Sequence, residues 1–576
     1  MPVEVKWSMV ENGSQRNTQD YWEILNKNVV EMKKRPNIVI FNPDEMRWDT
    51  LGHMGLNRAA VTPNLDKFAR EEAVSFSNAY CQNPVCVPSR CSFLTGLYPH
   101  VRGHRTMQHM LHEDESSLFS ELKNAGYYVW LNDRNDLVAG QIPGLYESHA
   151  DEIYSGKSDP KVTSPDHNRL INPDIRGEKG SKFYYSHYVG KLTLDGNGRN
   201  YTSDDSDVDR CIDIMGEDHE GKPVVAFLGL FYPHCPYGVE EPYFSLIDRS
   251  KLPPRASKGE NKPLMQQELR RRMGIDKLDE KDWDELRAVY LGMCAKIDVQ
   301  FKRLCDGLKE KGVYDDTLIV VLSDHGDFAG DYSLPEKAQN TFEDCLVRVP
   351  LLIKPPKGEK VDPGITDSMA ELVDFYATVM DYAGVESDHD NFGVSLRPVV
   401  EDRKVETKEY VFSEGGRMPW EWQADEYHGV CGKGGTIPET SEYWPKQTAQ
   451  TDGEAHIKGT MVRDHRYKYI KRANGKDEFY DLEKDRREEK NEIGNPLYKG
   501  EIVRMKEVML DWYQKTCDIV PRKVDNRIRL SLVEKLTEGL DEETRTDILR
   551  RYKEGLGGMM LMALIRRAKE DQMKLK

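Results

Sequence analysis

At 576 residues the chain is too long for one hydrophobic core and predicts two to four domains. Hydrophobic residues make up 38% and charged residues 31%, an ordinary globular balance, and no stretch reaches the roughly 18 consecutive apolar residues of a membrane helix. The 82 Lys and Arg residues are outnumbered by 99 Asp and Glu, and the net charge of −17 argues against a general nucleic-acid binder while leaving room for a local anion pocket. The N-terminal stretch lacks the apolar core of a signal peptide, so a cytoplasmic protein is expected. Ten scattered cysteines form no CxxC and no Cys/His cluster at zinc spacing, and reduced thiols are the default.

Residues 1–35 form a polar leader in which Trp22, Ile24, Leu25, Val29 and Val30 have helical spacing. NIVIF, residues 37–41, reads as a buried strand. TPNLDKFAREE follows as a helix with Thr62 as its cap and Pro63 in its first turn. SLFSELKNAGYYVWL gives a helix, a glycine stop and a strand. KPVVAFLGLFYP is a strand, and DELRAVYLGMCAKIDVQFKRLCDGLKEKG is a long amphipathic helix ending at Gly312. TLIVVLSDHGD and VRVPLLIKPP are further strands. This alternation predicts an α/β fold over residues 36–400, a large mostly parallel sheet sandwiched by helices, with chemistry at the carboxyl ends of its strands. From about residue 405, KEYVFSEGG, HIKGTMVRDHRYKYIKR and DEFYDLEKD read as shorter strands of an antiparallel subdomain, residues 401–500. Residues 501–576 form a charged helical tail. Its apolar run GMMLMALI, residues 558–565, reads as a helix packed on the body or, alternatively, as a contact that would make a homo-oligomer.

Two predicted strands each deliver a charged pair at the same end of the sheet: Asp44 and Glu45 after NIVIF, Asp324 and His325 after TLIVVL. Clustered carboxylates repel unless a cation lies between them, so a divalent metal accounts for both pairs; turn formation and helix capping by Asp is the alternative. Cys86 lies just before Pro88 and an apolar-periodic stretch, which puts it at a helix N-terminus, where the dipole favours anions and lowers a thiol pKa. Arg90, one turn on, can point back at the same place. The plainer reading of Cys86 is a buried structural thiol.

Cys86-Val87-Pro88-Ser89-Arg90, followed by Leu94, Thr95 and Gly96, resembles the signature of the formylglycine-dependent sulfatases of the alkaline phosphatase superfamily. NIVIFNPDEMRWDTLG resembles that family's first metal strand, LFYPHCPY its histidine segment, and LIVVLSDHGDFAGDYSLPEK its second metal strand with a downstream lysine. The resemblance covers most of residues 36–135, 222–240, 285–400 and 455–495. It implies that a formylglycine-generating enzyme converts Cys86 to formylglycine. It implies that Asp44, Glu45, Asp324 and His325, with residue 86, hold one divalent ion, calcium favoured over manganese, magnesium or zinc. It gives Arg90 the task of orienting the formylglycine, and His234 and Lys337 contacts to the sulfate and the leaving oxygen.

Two positions depart from the family pattern. Arg134 and Asp136 stand where many members carry a lysine and a histidine. Arg134 can serve as a bidentate anion clamp, while Asp136 is expected to bind a sugar hydroxyl, to orient Arg134, or to lie outside the site. His325 stands where many calcium sulfatases have an asparagine; imidazole suits a softer metal, and the Asp-His pair also occurs among phosphonate and phosphodiester hydrolases of the superfamily. Among lesser candidates, His104 is the histidine near the signature expected to face a site, with a structural role as its alternative. Arg417, Trp420, Trp422, Tyr427, His428 and Trp444 belong to an aromatic-rich insertion, residues 415–455, read either as a sugar platform, with Arg417 and His428 binding substrate, or as satellite core. SDDSDVDR, residues 203–210, reads as a solvated helix start rather than a second metal site.

The expected activity is hydrolysis of a sulfate ester on a sulfated small molecule or oligosaccharide, with no nucleic-acid or membrane partner. The alternatives are a phosphonate monoester or phosphodiester hydrolase with the same nucleophile, and a non-catalytic binding protein whose cysteine is never converted.

Overall fold

The computed structural model describes residues 35–163, 176–193, 200–421, 437–520 and 526–575. The leader helix expected within residues 1–35 lies outside them, as do Trp22, Trp422, Tyr427 and His428. The strands are β1 (Asn37–Asp44), β2 (Val74–Tyr80), β3 (Tyr128–Asn132), β4 (Glu152–Tyr154), β5 (Tyr188–Lys191), β6 (Val224–Pro233), β7 (Tyr237–Val239), β8 (Thr317–Leu322), β9 (Leu351–Lys354) and β10 (Gly364–Glu371). Eight of them form one sheet in the order β10-β2-β9-β8-β1-β6-β3-β4, while β5 and β7 pair separately. Every pairing in the large sheet is parallel except those of β9, which runs antiparallel to both β2 and β8. Ile38, Val39, Ile40 and Phe41 of β1 have no exposed surface, as a parallel strand covered on both faces requires. The register of β1 on β6 shifts between Pro43 and Asp44, so the strand is irregular where its chemistry begins.

The long helix is Glu280–Glu310, opened by an Asp279 capping box. Its Asp298 accepts from the Asn64 and Leu65 N–H groups at 3.1 and 2.8 Å. That carboxylate satisfies the start of the helix Pro63–Glu71, the task expected of Thr62, whose hydroxyl instead bonds Asp66 and the Gly52 N–H. The acidic run at 203–210 also departs from expectation. It begins the helix Ser203–Gly216 with a Thr202 capping box, but Asp204, Asp205 and Asp207 are buried rather than solvated. Asp204 accepts from the Phe231 and Tyr232 N–H groups at 2.7 and 2.9 Å, Asp205 from Gln300, and Asp207 from Asn132 and the Gly156 N–H. The run anchors the end of β6 because the helix start lies beneath it.

The second sheet is antiparallel, β11 (Val411–Gly415), β12 (Gly459–Arg463), β13 (Tyr467–Arg472) and β14 (Glu478–Asp481), in that order. It joins the segment after β8 through buried charges: Arg463 and Lys468 both pair with Asp344, and Lys468 also with Glu488. The helix Lys499–Thr516 closes its other side with Met505, Met509 and Trp512. Trp512 stacks on Phe412 at 4.4 Å and meets Tyr98, three residues beyond the signature helix, edge-on at 4.9 Å. The apolar run at 558–565 lies in the helix Gly558–Leu575. Leu561 and Ile565 pack against Val533 and Ile548 of the tail's own helices, not on the body, while Met559 and Met560 are 91% and 68% exposed. The tail helices are short and each amphipathic, so they bury one another's apolar stripes.

Trp512→Ala removes the aromatic joint between the antiparallel sheet, the helix Lys499–Thr516 and the segment just beyond the signature helix. It is expected to cost about 3–5 kcal/mol in urea denaturation; a loss below about 1 kcal/mol would show that the joint is not what holds the C-terminal helix down.

Candidate active site

β8, β1, β6 and β3 lie side by side and parallel, so their carboxyl ends open on one edge of the sheet. β8 leads into Asp324 and His325, β1 ends at Asp44 and is followed by Glu45, β6 is followed by His234, and β3 by Arg134 and Asp136. The helix Cys86–Thr95 faces this edge with every residue buried, and Cys86 is its first residue. Ser89 Oγ donates to the Asp324 carbonyl at 2.6 Å, tying helix to strand end.

Asp44, Cys86, Asp324 and His325 present ligand atoms that all lie within 4.8 Å of one another. Cys86 Sγ is 3.2 Å from His325 Nε2 and 3.5 Å from Asp44 Oδ1, and His325 Nε2 is 3.5 Å from Asp44 Oδ1. His325 Nδ1 donates to the Gly326 carbonyl at 2.9 Å, which turns the Nε2 lone pair toward the cluster. Arg90 stands behind it without exposed surface: Nε donates to Asp324 Oδ2 and Nη2 to Asp44 Oδ2, both at 2.8 Å. Each carboxylate therefore has one oxygen held by Arg90 and the other turned to the cluster. Two carboxylate oxygens, an imidazole nitrogen and the position-86 atom are a donor set that fits a divalent cation. Burial disfavours the Asp44 carboxylate, but Arg134 and Arg90 outweigh it and hold its pKa well below the usual range. Burial, with Asp44 beside it, pushes the Cys86 thiol pKa well up, opposite to the lowering expected at a helix N-terminus.

Glu45, expected as a metal ligand, does not join the cluster. Its backbone is left-handed, φ 67°, and its carboxylate turns to Lys337 Nζ at 3.2 Å and His234 Nε2 at 3.4 Å. Tyr290 of the long helix secures this turn by donating to the Glu45 carbonyl at 2.7 Å. Lys337 Nζ donates to His234 Nε2 at 2.8 Å, while His234 Nδ1 donates to the Cys235 carbonyl. Burial opposes the Lys337 charge, but Glu45 and Glu336 outweigh it and raise its pKa well above the lysine range; burial and Lys337 push His234 well down. The proton is on lysine, and histidine is its neutral acceptor.

Arg134 joins the first cluster through Asp44 Oδ2 and packs its guanidinium 4.8 Å from the Phe231 ring centroid. Asp136 lies in the site but pairs with Arg90 Nη1 at 3.1 Å rather than orienting Arg134 by a direct bond. His104 does not face the site's charged groups: its ring nitrogens bond Glu115 and the His109 carbonyl, a structural role. Arg417 directs its guanidinium to the carbonyls of Pro419, Glu421 and Gln450. His428 lies outside the described residues. Sequence reasoning missed Glu336, which its place beside Lys337 could have suggested, and Lys446, for which the sequence carries no signal; Lys446 Nζ lies 2.5 Å from Glu336 Oε2.

The sulfatase family model matches residues 36–385. The chain is 25% identical over 505 residues to an arylsulfatase of Clostridium perfringens, covering 83% of this chain and 94% of that one. It is 24% identical over 520 residues to the N-acetylglucosamine-6-O-sulfatase of Bacteroides thetaiotaomicron, covering 81% and 84% respectively. Its fold matches the crystal structure of the phosphonate monoester hydrolase of Agrobacterium radiobacter with a TM-score of 0.65 and 21% identity, over 84% of this chain and 96% of that chain.

Arg90→Ala would leave Asp44 and Asp324 buried without their shared counterion. Stability in EDTA is expected to fall by about 3 kcal/mol, with part regained on adding a divalent cation. A variant as stable as the parent in EDTA would contradict this account of Arg90.

Proposed function

The chain belongs to the sulfatase family of sulfuric ester hydrolases, and on that premise we propose that it cleaves the sulfate ester of a sulfated carbohydrate at the centre built around Cys86. One observation carries the reading: Cys86 begins a buried helix whose Arg90 grips the outer oxygens of Asp44 and Asp324, while the inner oxygens and His325 surround the Cys86 side chain. The Cys86 sulfur stands in for the oxygen of formylglycine. Conversion by a formylglycine-generating enzyme would supply a hydrated aldehyde, a nucleophile that releases sulfate by re-forming its carbonyl. A divalent ion held by Asp44, Asp324, His325 and residue 86 would supply Lewis-acid polarisation.

The protein's own side chains do the rest. Arg134 and Lys337 bring positive charge to the sulfate oxygens, where charge grows during transfer. Lys337 carries the proton for the departing alcohol, since His234 accepts from it and has Nδ1 committed to the Cys235 carbonyl. Glu45 holds the Lys337 ammonium in place. Burial of the whole set keeps bulk water from competing. Calcium meets its usual oxygen donors in Asp44 and Asp324, whereas His325 Nε2 is a better ligand for manganese or zinc.

The His325 imidazole also favours a second reading, a phosphonate monoester or phosphodiester hydrolase using the same nucleophile. The fold match to a phosphonate monoester hydrolase is compatible with either.

The decisive experiment co-expresses the chain with a formylglycine-generating enzyme, measures the mass of the Cys86 peptide, and assays sulfated saccharides, an aryl sulfate, a phosphonate monoester and a phosphodiester. An aldehyde mass with sulfate release is expected, as is loss of turnover by at least about a thousandfold in Cys86→Ala. A phosphonate preference would select the second reading. A persistent thiol mass beside a converted control, with no turnover, would favour a binding protein. Metal analysis of the purified protein is expected to find about one divalent ion per chain, lost in Asp324→Ala.

A further inference from the structure

Lys337 is flanked by two carboxylates. Glu45 Oε2 lies 3.2 Å from Nζ and is itself 3.4 Å from His234, so it holds the ammonium at the site. Glu336 Oε1 lies 3.3 Å from the same Nζ, and the ligand atoms of Glu45, His234 and Glu336 all lie within 4.8 Å of one another, so a second buried anion competes with Glu45 and His234 for the ammonium. Glu336 is held firmly: its backbone is left-handed, φ 58°, and its N–H donates to Tyr237 Oη at 2.7 Å. Tyr237 donates in turn to Asp327 at 2.8 Å.

A second cation answers it. Lys446, on the helix Trp444–Gln450 of the aromatic-rich insertion, is 4% exposed and places Nζ 2.5 Å from Glu336 Oε2. The helix is seated by Tyr443, whose ring lies 5.4 Å from that of His187, and by Gln447, which accepts from the Ile437 N–H at 3.0 Å. Glu336 is thus shared between two ammonium groups, Lys337 at Oε1 and Lys446 at Oε2. An uncompensated buried anion is costly, so without Lys446 the Lys337 ammonium becomes the sole ion-pair partner of Glu336 among the described residues.

We propose that Lys446 is a positioning residue for catalysis: by neutralising Glu336 at its other oxygen, it frees the Lys337 ammonium to serve the sulfate and the leaving oxygen. Lys446 acts through Glu336. The insertion thereby contributes to the active site by charge. The catalytic part of this proposal rests on the sulfatase reading above; the charge arrangement does not.

A double-mutant cycle tests it. Lys446→Met is expected to lower kcat on the ester that the parent cleaves by about tenfold or more, with KM changed by less than about threefold. Lys446→Arg, which keeps the charge, is expected to retain most of the parent rate. Lys446→Met combined with Glu336→Gln, which removes the anion with the cation, is expected to recover to within about threefold of the parent. Recovery is the result a packing role would not produce, and a folded double variant keeps the test available where Lys446→Met alone fails to fold. Inorganic sulfate titrated calorimetrically against the same proteins gives a second reading: Lys446→Met is expected to weaken sulfate binding by at least about threefold, and the double variant to restore it. The proposal is overturned by a Lys446→Met kcat and sulfate affinity within about twofold of the parent, or by a double variant no better than the single. If the converted parent cleaves no ester, the sulfatase reading fails by itself and the sulfate titration decides on Lys446.

Discussion

Two carboxylates buried side by side repel one another by about 4 kcal/mol at 4 Å and an effective dielectric of 20, and the architecture of this protein turns on how that repulsion is answered. Asp44 and Asp324 end adjacent parallel strands and have no exposed surface. Arg90 takes one oxygen from each, which leaves the other two directed at the same small volume. The guanidinium does this because its planar fork spans two acceptors that an ammonium could not reach together. Its own position depends on the helix Cys86–Thr95, pinned to the end of β8 by Ser89. A single buried cation thus joins helix, strand ends and nucleophile position.

The backbone turn at Glu45 divides the acids of β1 between two tasks. Along a regular strand, Asp44 and Glu45 would point to opposite faces. Here the register shift at Pro43 and the left-handed φ of Glu45 bring both side chains to the active edge but on diverging lines. Asp44 serves the metal-fitting cluster, and Glu45 serves Lys337 and His234. A non-glycine residue in this conformation costs about 1–2 kcal/mol, offset by the hydrogen bond from Tyr290 and the ion pair with Lys337. The outcome is two adjoining charge circuits, one suited to holding a cation and one to holding a proton.

The C-terminal part contributes to both stability and chemistry. Asp344 receives Arg463 and Lys468 from the antiparallel sheet only seven residues beyond Lys337, so the lysine segment is braced from that side. Trp512 links the helix Lys499–Thr516 to Tyr98 beyond the signature helix. The insertion brings Lys446 to Glu336. The three helices after residue 526 bury their apolar stripes mainly against one another, forming a cluster distinct from the main core.

The amino-acid sequence by itself determined the strand-and-helix alternation, the position of the antiparallel sheet, and which residue types stand at the active edge. These are local properties: continuous apolar runs make buried strands, and the residues directly after each run are carried to the carboxyl edge. Asp44, Asp324, His325, Cys86 and Arg90 were legible for that reason, and the family resemblance added His234 and Lys337. Only the tertiary structure decided the pairings. It turned Glu45 from the metal cluster to Lys337, 292 residues away, set Asp136 on Arg90, and committed His104 to Glu115. It also buried Asp204, Asp205 and Asp207 and brought Lys446 to Glu336, 110 residues distant. No local rule reaches those choices, because a buried charge takes its counterion from whichever element the packing brings within about 3 Å, whatever its distance along the chain.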